Sequence, residues 1–403
     1  MQVRPCANAD EMRAAFAPIW HYFGQNAPNA DVMRSFARIM PLERVHAAFE
    51  AERAVAGSGA FAFDLTVPGG QVKAAGLTVV GVLPTHRRRG LLRAMMRSQI
   101  DAARARGEPV MVFWPSQDTI YTRFGCGMAS MMADIDVLRD HAAAYAAFDA
   151  PGDARLVPLA EAEPTVGAIY DRVAQQTPGM YARSSAWWQD RLLNDQDWKR
   201  RGGGALQCAV LDNGGEPSAY AFYRVNSAFE HGSGIGHTLV VEAMGISPEA
   251  THAVWRFLFG IDWMARVKAH LLPVDHSLLL STSEPRRLNF HLREGIWVRL
   301  IDVGAALSAR SYASGDAVVV EVADEFCPWN AGRWRITREG AAKTNAPADL
   351  SCEVASLGCV YLGGFSFADL ARAMRVRELR EGAIARADAL FRTDRKPWCP
   401  EIF

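Results

Sequence analysis

The sequence of 403 residues lacks an excess of charge of either sign, because 44 lysines and arginines are matched by 44 aspartates and glutamates. Proteins that bind nucleic acid or a membrane surface through a broad electrostatic field carry a strongly basic total. The balance argues against both kinds of partner, so any basic cluster must serve a local purpose. The length exceeds what one ordinary core holds, which predicts two or three domains.

The chain also lacks the patterns of a disulfide framework and of a zinc site. Its seven cysteines are scattered and have no C-x-x-C spacing (Cys6, Cys126, Cys208, Cys327, Cys352, Cys359 and Cys399). This usage predicts a reducing compartment and no bound metal. No apolar run reaches the ~18 residues of a membrane span, and the start "MQVRPCANADEMR" has no secretory signal pattern. We therefore expect a cytoplasmic protein.

Turn-forming residues divide the chain into three segments of mixed helix and strand pattern, typical of an α+β protein. The first segment closes at Pro151 and Gly152. The second carries the strand-like stretches "SAYAFYRVNSAF" and "HTLVVEAMGI", followed by a helix that starts at Ser247. Because strand, strand and helix follow in the same order in the first segment, a structural duplication is indicated. The third segment starts near "WVRLIDVGAAL".

What the chain does have is a basic loop in "LTVVGVLPTHRRRGLLRAMM", residues 77–96. The β-branched run before the loop predicts a buried strand, and the spacing from Leu91 onward predicts a helix. The N-terminus of a helix presents free backbone N–H groups to an anion, and arginines add bidentate donors for phosphate. Gly90 leaves room for an anion to approach the backbone. The loop is thus a candidate pyrophosphate site.

Other interpretations of this loop compete with the phosphate site. An isolated run of three arginines is more often a solvated basic turn, and a nucleic-acid patch is weakened by the neutral chain. The chain has neither the GxxxxGK[ST] motif of a P-loop nor a Rossmann fingerprint. Residues 87–90 alone therefore leave the choice open.

The motif Arg87-x-x-Gly90 between a strand and a helix resembles the acetyl-CoA pyrophosphate loop of GNAT acetyltransferases. Position 92 departs from the family pattern, since leucine stands where the family has glycine or alanine. The chain as a whole is similar to the Eis (enhanced intracellular survival) acetyltransferases. The likeness is carried by "THRRRGLLRAMM", "IYTRFGCGMA", "RSSAWWQDRL", "SAYAFYRV", "EGIWVRLIDVGAALSARSY" and "ADALFRTDRKPW".

The resemblance implies a chain of three parts. Residues 1–147 would form a GNAT domain with the acetyl-CoA site, and residues 148–297 a second GNAT-like domain without a cofactor site. Residues 298–403 would form a sterol-carrier-like domain whose terminus reaches the active site. The second segment shows no Arg-x-x-Gly loop between a strand and a helix, which agrees with one cofactor site per chain. Relatives form hexamers, so a homohexamer is expected.

The resemblance also implies which residues bind acetyl-CoA. In the family, the cofactor's pantetheine arm adds to the open edge of a splayed strand pair. Backbone N–H groups of Val80, Gly81 and Val82 would hold the thioester carbonyl. The remaining cofactor contacts would come from Arg87, Arg88, Arg89, Gly90, Leu91, Leu92, Arg93, Ser116 and Gln117. Many relatives carry glutamate where this chain has Gln117.

The catalytic roles implied by the resemblance fall on Tyr121 and on the C-terminal residue, Phe403. Tyr121 would be the general acid, since a phenol of pKa ~10 can protonate a thiolate whose thiol lies near ~8.5. The α-carboxylate of Phe403 would take the amine's proton. With an ordinary pKa of ~3.5 it is a poor base, so it would act partly by orienting the amine or a relaying water. A ping-pong route through Cys126 is an alternative, although no histidine lies near it in sequence.

The implied acceptors are primary amines of aminoglycoside-type or other polyamines, with smaller amines and lysine side chains left open. A cationic substrate favours acidic walls, for which Glu401 is the candidate, and Trp20 would contribute to the pocket. The alternative function is a lipid or small-molecule carrier with a degenerate acetyl-CoA site. Release of thiol from acetyl-CoA in the presence of amines would distinguish the two.

Overall fold

The computed structural model describes residues 2–51, 53–139, 153–200, 202–313 and 315–403, which divide into two compact units. Unit 1 comprises Met1–Ser130, Ile296–Arg395 and Ile402–Phe403, and unit 2 comprises Met131–Gly295 and Lys396–Glu401. No described helix is long and apolar enough to cross a membrane.

Unit 1 contains a 7-stranded sheet built around the long hairpin of Arg53–Val67 and Gly70–Val82. The hairpin turns at Pro68 and Gly69, where φ of Gly69 is +80°, a value that favours glycine. The sheet order is Val3–Pro5, Val45–Glu50, Arg53–Val67, Gly70–Val82, Val110–Phe113, Trp297–Leu300 and Gly127–Met128.

Helices cover both faces of this sheet. Leu91–Ala105 buries Met95, Met96 and Ile100, whose spacing forms one apolar face. Ala9–Tyr22 and Ala30–Ile39 start at the side-chain caps Asn8 and Asn29. The shorter elements are the helix Asp118–Tyr121 and the 3₁₀ turns Leu42–Arg44, Pro84–His86 and Thr122–Phe124.

The rest of unit 1 is a 5-stranded sheet with its own helices. Its strand order is Gly340–Lys343, Gly332–Thr337, Val318–Ala323, Leu350–Glu353 and Val376–Glu378. Its helices are Val303–Ser308, Val354–Tyr361, Phe367–Arg372 and Ala383–Phe391, with the 3₁₀ turn Pro328–Asn330.

Unit 2 contains a second 7-stranded sheet. Its order is Asp153–Leu156, Leu206–Asn213, Glu216–Asn226, Gly236–Gly245, Met264–Leu272, Met131–Leu138 and His291–Glu294, beside the small hairpin Phe229–Glu230 and Ser233–Gly234. Its helical elements are Leu159–Ala174, Ser185–Trp187, the π-helix Trp188–Leu193, Asp197–Arg200, Pro248–Phe259, Leu278–Ser281 and the 3₁₀ turn Pro285–Leu288.

The two 7-stranded sheets have the same arrangement, so the expected duplication and the α+β class are confirmed. In each sheet the fourth and fifth strands are parallel and joined by one helix, Leu91–Ala105 or Pro248–Phe259. The sixth strand of each sheet comes from elsewhere in the chain. The strand Trp297–Leu300 comes after the second fold in sequence but pairs with strands of unit 1. The strand Met131–Leu138 comes directly after the first fold in sequence but pairs with strands of unit 2.

This exchange of strands was not anticipated by the expected domain boundaries. The boundary between residues 297 and 298 falls inside the strand Trp297–Leu300, which pairs with Val110–Phe113 and with Gly127–Met128. The boundary between residues 147 and 148 lies outside the described residues. Turn residues could not reveal the exchange, because backbone pairing depends on partners that are far apart in sequence.

Candidate functional site

The sheet of unit 1 opens between two parallel strands. The strand Gly70–Val82 pairs with the strand Val110–Phe113 over three residues, from the pair of Ala74 with Val110 to the pair of Gly76 with Val112. The longer strand then continues to Val82. The two strands therefore part beyond Gly76 and leave backbone groups of Leu77–Val82 facing an opening.

A β-bulge lies in the strand beside this opening. Thr78 pairs with Gly59 and Gly81 pairs with Gly57, so this strand has two residues, Val79 and Val80, where its partner strand has one. Val79 has a φ of +49°. Bulges re-aim backbone groups and are frequent next to active sites. Val80, Gly81 and Val82 follow at once, and the carbonyl of Val82 accepts a hydrogen bond from Tyr22 at 2.8 Å.

The basic loop connects the end of this strand to the helix Leu91–Ala105. Gly90 has a φ of +80° and starts the helix without a side-chain cap. Arg87, Arg88 and Arg89 are exposed, as Arg93 is. His86 differs from the arginines: it is buried, with Nε2 at 3.1 Å from Glu50 Oε2. The loop thus presents three arginines beside an uncapped helix start.

Tyr121 lies in the core beneath the opening and is 4% exposed. Its ring is 4.6 Å from that of Phe113, and Leu92 and Val80 pack against the same core. Burial raises the pKa of Tyr121 to about 12, against the opposing effect of a hydrogen bond with Ser116. Ser116 and Gln117 are exposed at the start of this turn. The phenol is therefore protonated at neutral pH.

The turn after Tyr121 rests on a buried ion pair. Arg299 donates to both carboxylate oxygens of Asp324, at 2.9 and 2.7 Å, and both side chains are at most 1% exposed. A Cβ at Gly125, which has a φ of +75°, would lie 2.6 Å from Arg299 Nη1. Burial raises the pKa of Cys126 to about 12, against the effect of Arg299, so its thiol is a weak nucleophile.

Removing one partner of this ion pair should destabilise the fold strongly. We expect Asp324→Ala to lower the free energy of unfolding by about 3–5 kcal/mol, because a buried guanidinium loses its counter-charge. Glu321→Ala is the matched control, because its pair with Arg333 is exposed and worth at most about 1 kcal/mol. Urea unfolding of both variants measures the difference, and equal losses would contradict the buried pairing.

Phe403 packs on the opposite face of the same sheet. Its ring lies 4.8 Å from Phe63 and 6.4 Å from Phe61, both edge to face, and it is 8% exposed. Trp20 belongs to the same aromatic layer, since its ring is 6.2 Å from Phe36, which is 6.4 Å from Phe61. The C-terminal residue is thus packed in place.

Strand register relates Tyr121 to Phe403. Tyr121 belongs to the same core as Ala60 and Leu77, which pair with each other across the two strands of the hairpin. Phe403 contacts Phe61, the residue that follows Ala60 on its strand. Neighbouring residues of a strand point to opposite faces. The two side chains therefore lie on opposite faces of the sheet, at the level where its strands part.

Glu401 has partners other than the expected substrate. Its carboxylate accepts hydrogen bonds from Trp187 Nε1 at 2.8 Å, Tyr181 at 3.1 Å and Arg183 at 3.2 Å, and from Arg191 Nε at 3.2 Å. Burial would raise the pKa of Glu401, but the two arginines together with the hydrogen bonds from Trp187 and Tyr181 hold the pKa below its ordinary value. Two guanidinium groups thus offset its charge, and its expected role as an acidic substrate wall stays a prediction.

Sequence reasoning missed the residues that support this site. Arg299 stands in the apolar stretch "WVRLI", where a lone charge signals a buried pair, but its partner Asp324 is distant in sequence. Within unit 2, apart from this site, Arg183 and Glu242 form another buried pair, with no local signal that joins them. Among the described residues, no group of three His, Cys, Asp or Glu side chains is placed to hold a metal.

Comparison with known proteins identifies the fold. Models of an acetyltransferase (GNAT) domain match residues 2–129 and 179–300, and a sterol carrier protein domain matches residues 303–400. A GCN5-related N-acetyltransferase from Anabaena variabilis, 18% identical, covers 100% of both chains with a TM-score of 0.84 and supports the fold alone.

More similar relatives identify the family. An uncharacterized N-acetyltransferase of Streptomyces coelicolor is 44% identical over 88% of this chain and 87% of its own. The N-acetyltransferase Eis of Mycobacterium tuberculosis is 35% identical over 82% of this chain and 81% of its own. The crystal structure of Eis1 from Mycobacterium abscessus matches with a TM-score of 0.88, at 33% identity over 100% of both chains. The chain therefore belongs to the Eis family of GNAT N-acetyltransferases, enzymes that take their acetyl group from acetyl-CoA.

Proposed function

We propose that the opening in the sheet of unit 1 binds acetyl-CoA, and that the acetyl group passes directly to a primary amine of an aminoglycoside-type or other polyamine. The observation that carries this proposal is the alignment of Tyr121 and Phe403 on opposite faces at the level where the strands part. The pantetheine arm would add to the free edge of Leu77–Val82.

In this proposal the basic loop binds the pyrophosphate. Arg87, Arg88 and Arg89 donate to its oxygens together with the amides of Gly90 and Leu91, with Leu92 and Arg93 completing the first turn. The uncapped start of the helix supports this role, because its amides have no side-chain acceptor. Backbone amides of Val80, Gly81 and Val82 hold the thioester carbonyl and the oxyanion that forms from it.

The charge of the loop can be tested directly. Arg87→Ala should weaken coenzyme A binding roughly 10- to 100-fold, because a charge-assisted hydrogen bond to phosphate is lost. At saturating acetyl-CoA, kcat should change little. Isothermal titration with coenzyme A measures the effect, and Arg335→Ala, an exposed arginine of the 5-stranded sheet, is the control. Equal affinity in all three proteins would point to a merely solvated turn.

The chemical step needs an acid on one side of the thioester and a proton acceptor on the other. The amine nitrogen attacks the carbonyl carbon, a C–N bond forms, and the C–S bond breaks. Tyr121 gives its proton to the departing thiolate, and the amine's proton passes to the carboxylate of Phe403, directly or through water. Burial makes the phenol a weaker acid than a free one, but the same dry surroundings disfavour the thiolate as well.

The raised pKa of Tyr121 sets the alkaline limit of activity. A group whose pKa is about 12 stays protonated at all lower pH values, so the general acid is available throughout. We expect kcat at saturating amine and acetyl-CoA to show no loss on the alkaline side up to about pH 10. A decline centred near pH 10, the value of a free phenol, would contradict the buried position.

The substrate class is tested by thiol release. Acetyl-CoA and a chromogenic disulfide are incubated with the protein and with aminoglycosides, linear polyamines or lysine peptides in turn. Amine-dependent release with the first two groups supports the proposal. Absence of any amine-dependent thiol release would favour a carrier function. In this proposal Trp20 and the rings around Phe403 line the side of the site where the amine binds.

Assembly as a homohexamer belongs to the same proposal. Large apolar side chains lie exposed on the single chain, including Trp263 at 73% and Met374 at 93%. Because scattered apolar side chains also occur on monomers, the prediction rests on the family resemblance. Light scattering coupled to gel filtration tests the prediction, and a monomer would contradict it.

A further inference from the structure

The second GNAT-like fold repeats the opening seen in unit 1. The parallel strands Gly236–Gly245 and Met264–Leu272 pair as far as Val240–Ala269, and both continue beyond that pair. A bulge again precedes the opening, because Val241 stands between the pairs Tyr223–Val240 and Phe222–Glu242. The backbone geometry that accompanies a cofactor site is therefore present twice.

The start of the following helix differs between the two folds. In unit 2 the side chain of Ser247 accepts from the amide of Ala250 at 3.2 Å, Pro248 occupies the first turn, and Glu249 follows. A capped helix start with an adjacent carboxylate disfavours phosphate. The opening is thus unsuited to the pyrophosphate of a coenzyme.

The tail of the chain lies at this second opening. The Trp398 amide donates to the carbonyl of Pro178 at 2.8 Å, and its indole Nε1 donates to the carbonyl of Leu271, beyond the last strand pair. The indole belongs to the same buried core as Phe222 and Met244, the latter beyond the last pair on the other strand. An aromatic side chain of the protein itself therefore closes the opening.

A buried charge cluster holds the end of this tail. Arg183, whose side chain is 0% exposed, donates to Glu242 at 2.9 and 2.6 Å and to Glu401 at 3.2 Å. Glu242 lies on the strand directly after the bulge, and Arg191 adds a second positive charge to Glu401. The cluster recognises one carboxylate at a fixed distance from one indole.

We propose that the opening of the second GNAT-like fold is a peptide-binding site whose ligand is the chain's own tail, Lys396–Glu401, in place of a coenzyme. The proposed peptide site lies within unit 2 and does not rest on the proposed function.

The test separates the tail from its receptor. A protein ending at Arg395 is titrated into a fluorescein-labelled peptide of residues 396–401 with an amidated end, and anisotropy is recorded. Saturable binding is expected, with Glu401→Gln and Trp398→Ala peptides each weaker by roughly tenfold or more. A Lys396→Ala peptide is the control, since Lys396 is exposed. A folded receptor that does not bind, or binds all four peptides equally, overturns the proposal.

A second measurement uses the full-length protein, so its result does not depend on whether the truncated protein folds. Hydrogen exchange of the amides in Lys396–Glu401 should accelerate at least roughly tenfold in Glu401→Gln and in Trp398→Ala. Unchanged exchange in both variants overturns the proposal. Neither readout involves acetyl transfer, so failure here is distinguishable from failure of the proposed function.

Discussion

Replacing Tyr121 with phenylalanine is expected to lower kcat roughly 10²- to 10⁴-fold, which is the usual contribution of a positioned general acid. The variant keeps the ring that packs at 4.6 Å on Phe113 and removes only the hydroxyl that bonds Ser116. Affinity for acetyl-CoA should therefore stay within about twofold. Steady-state thiol release and calorimetry with coenzyme A measure the two quantities.

The control for this variant is another buried tyrosine of unit 1. Tyr312 donates its hydroxyl to the carbonyl of Leu307 at 2.7 Å and is 8% exposed. Tyr312→Phe removes a buried hydroxyl at a comparable cost in stability, about 1 kcal/mol, but should leave kcat unchanged. If both variants lose activity equally, Tyr121 is a packing residue. If Tyr121→Phe loses cofactor affinity in the same proportion as kcat, the acid assignment also fails.

Extending the chain beyond Phe403 should be the other change with a large effect. Two added glycines move the carboxylate by up to roughly 7 Å while the ring contacts with Phe61 and Phe63 are retained. We expect kcat to fall roughly 100-fold, because the proton acceptor leaves its position, with little change in coenzyme A binding. Thiol-release kinetics with one amine compare the extended and natural chains.

A pair of glycines added at the N-terminus is the matched control, and it should leave kcat unchanged. Phe403→Leu is informative as well, because it keeps the carboxylate and alters only the ring that packs on Phe63. Its activity should exceed that of the extended chain. Full activity of the extended chain would remove the terminus from the mechanism.

Duplication of the GNAT fold has different consequences in the two halves. In unit 1 the opening beside Val79 is followed by an uncapped helix and three exposed arginines. In unit 2 the corresponding helix is capped by Ser247, and Trp398 and Glu401 lie where the strands part. The start of the following helix therefore distinguishes the two openings.

Much of the candidate site could be predicted from local patterns. The strand, the helix and the loop of residues 87–90 are adjacent in sequence, so β-branched residues, helical spacing and Gly90 identify them. Similarity along the whole chain was sufficient for the family and for three parts in order. Local backbone preferences and composition carry this information because they act over a few residues.

The burial of Tyr121 was beyond such patterns. A free phenol has a pKa of ~10, which is the value that residue type alone predicts. The structure surrounds the ring with Phe113, Leu77 and Phe124, and burial raises the pKa to about 12. Desolvation depends on every neighbour in space, so no short stretch encodes it.

The amino-acid order was therefore enough for the family and the duplicated α+β fold, through similarity along the whole chain, and for the basic loop, through neighbours in sequence. Folding in three dimensions was required for the exchanged strands Met131–Leu138 and Trp297–Leu300 and for the opposed faces of Tyr121 and Phe403. It was also required to pair Glu401 with Arg183. Hydrogen-bond ladders and buried charges choose partners by distance in space, and the partners here are up to hundreds of residues apart.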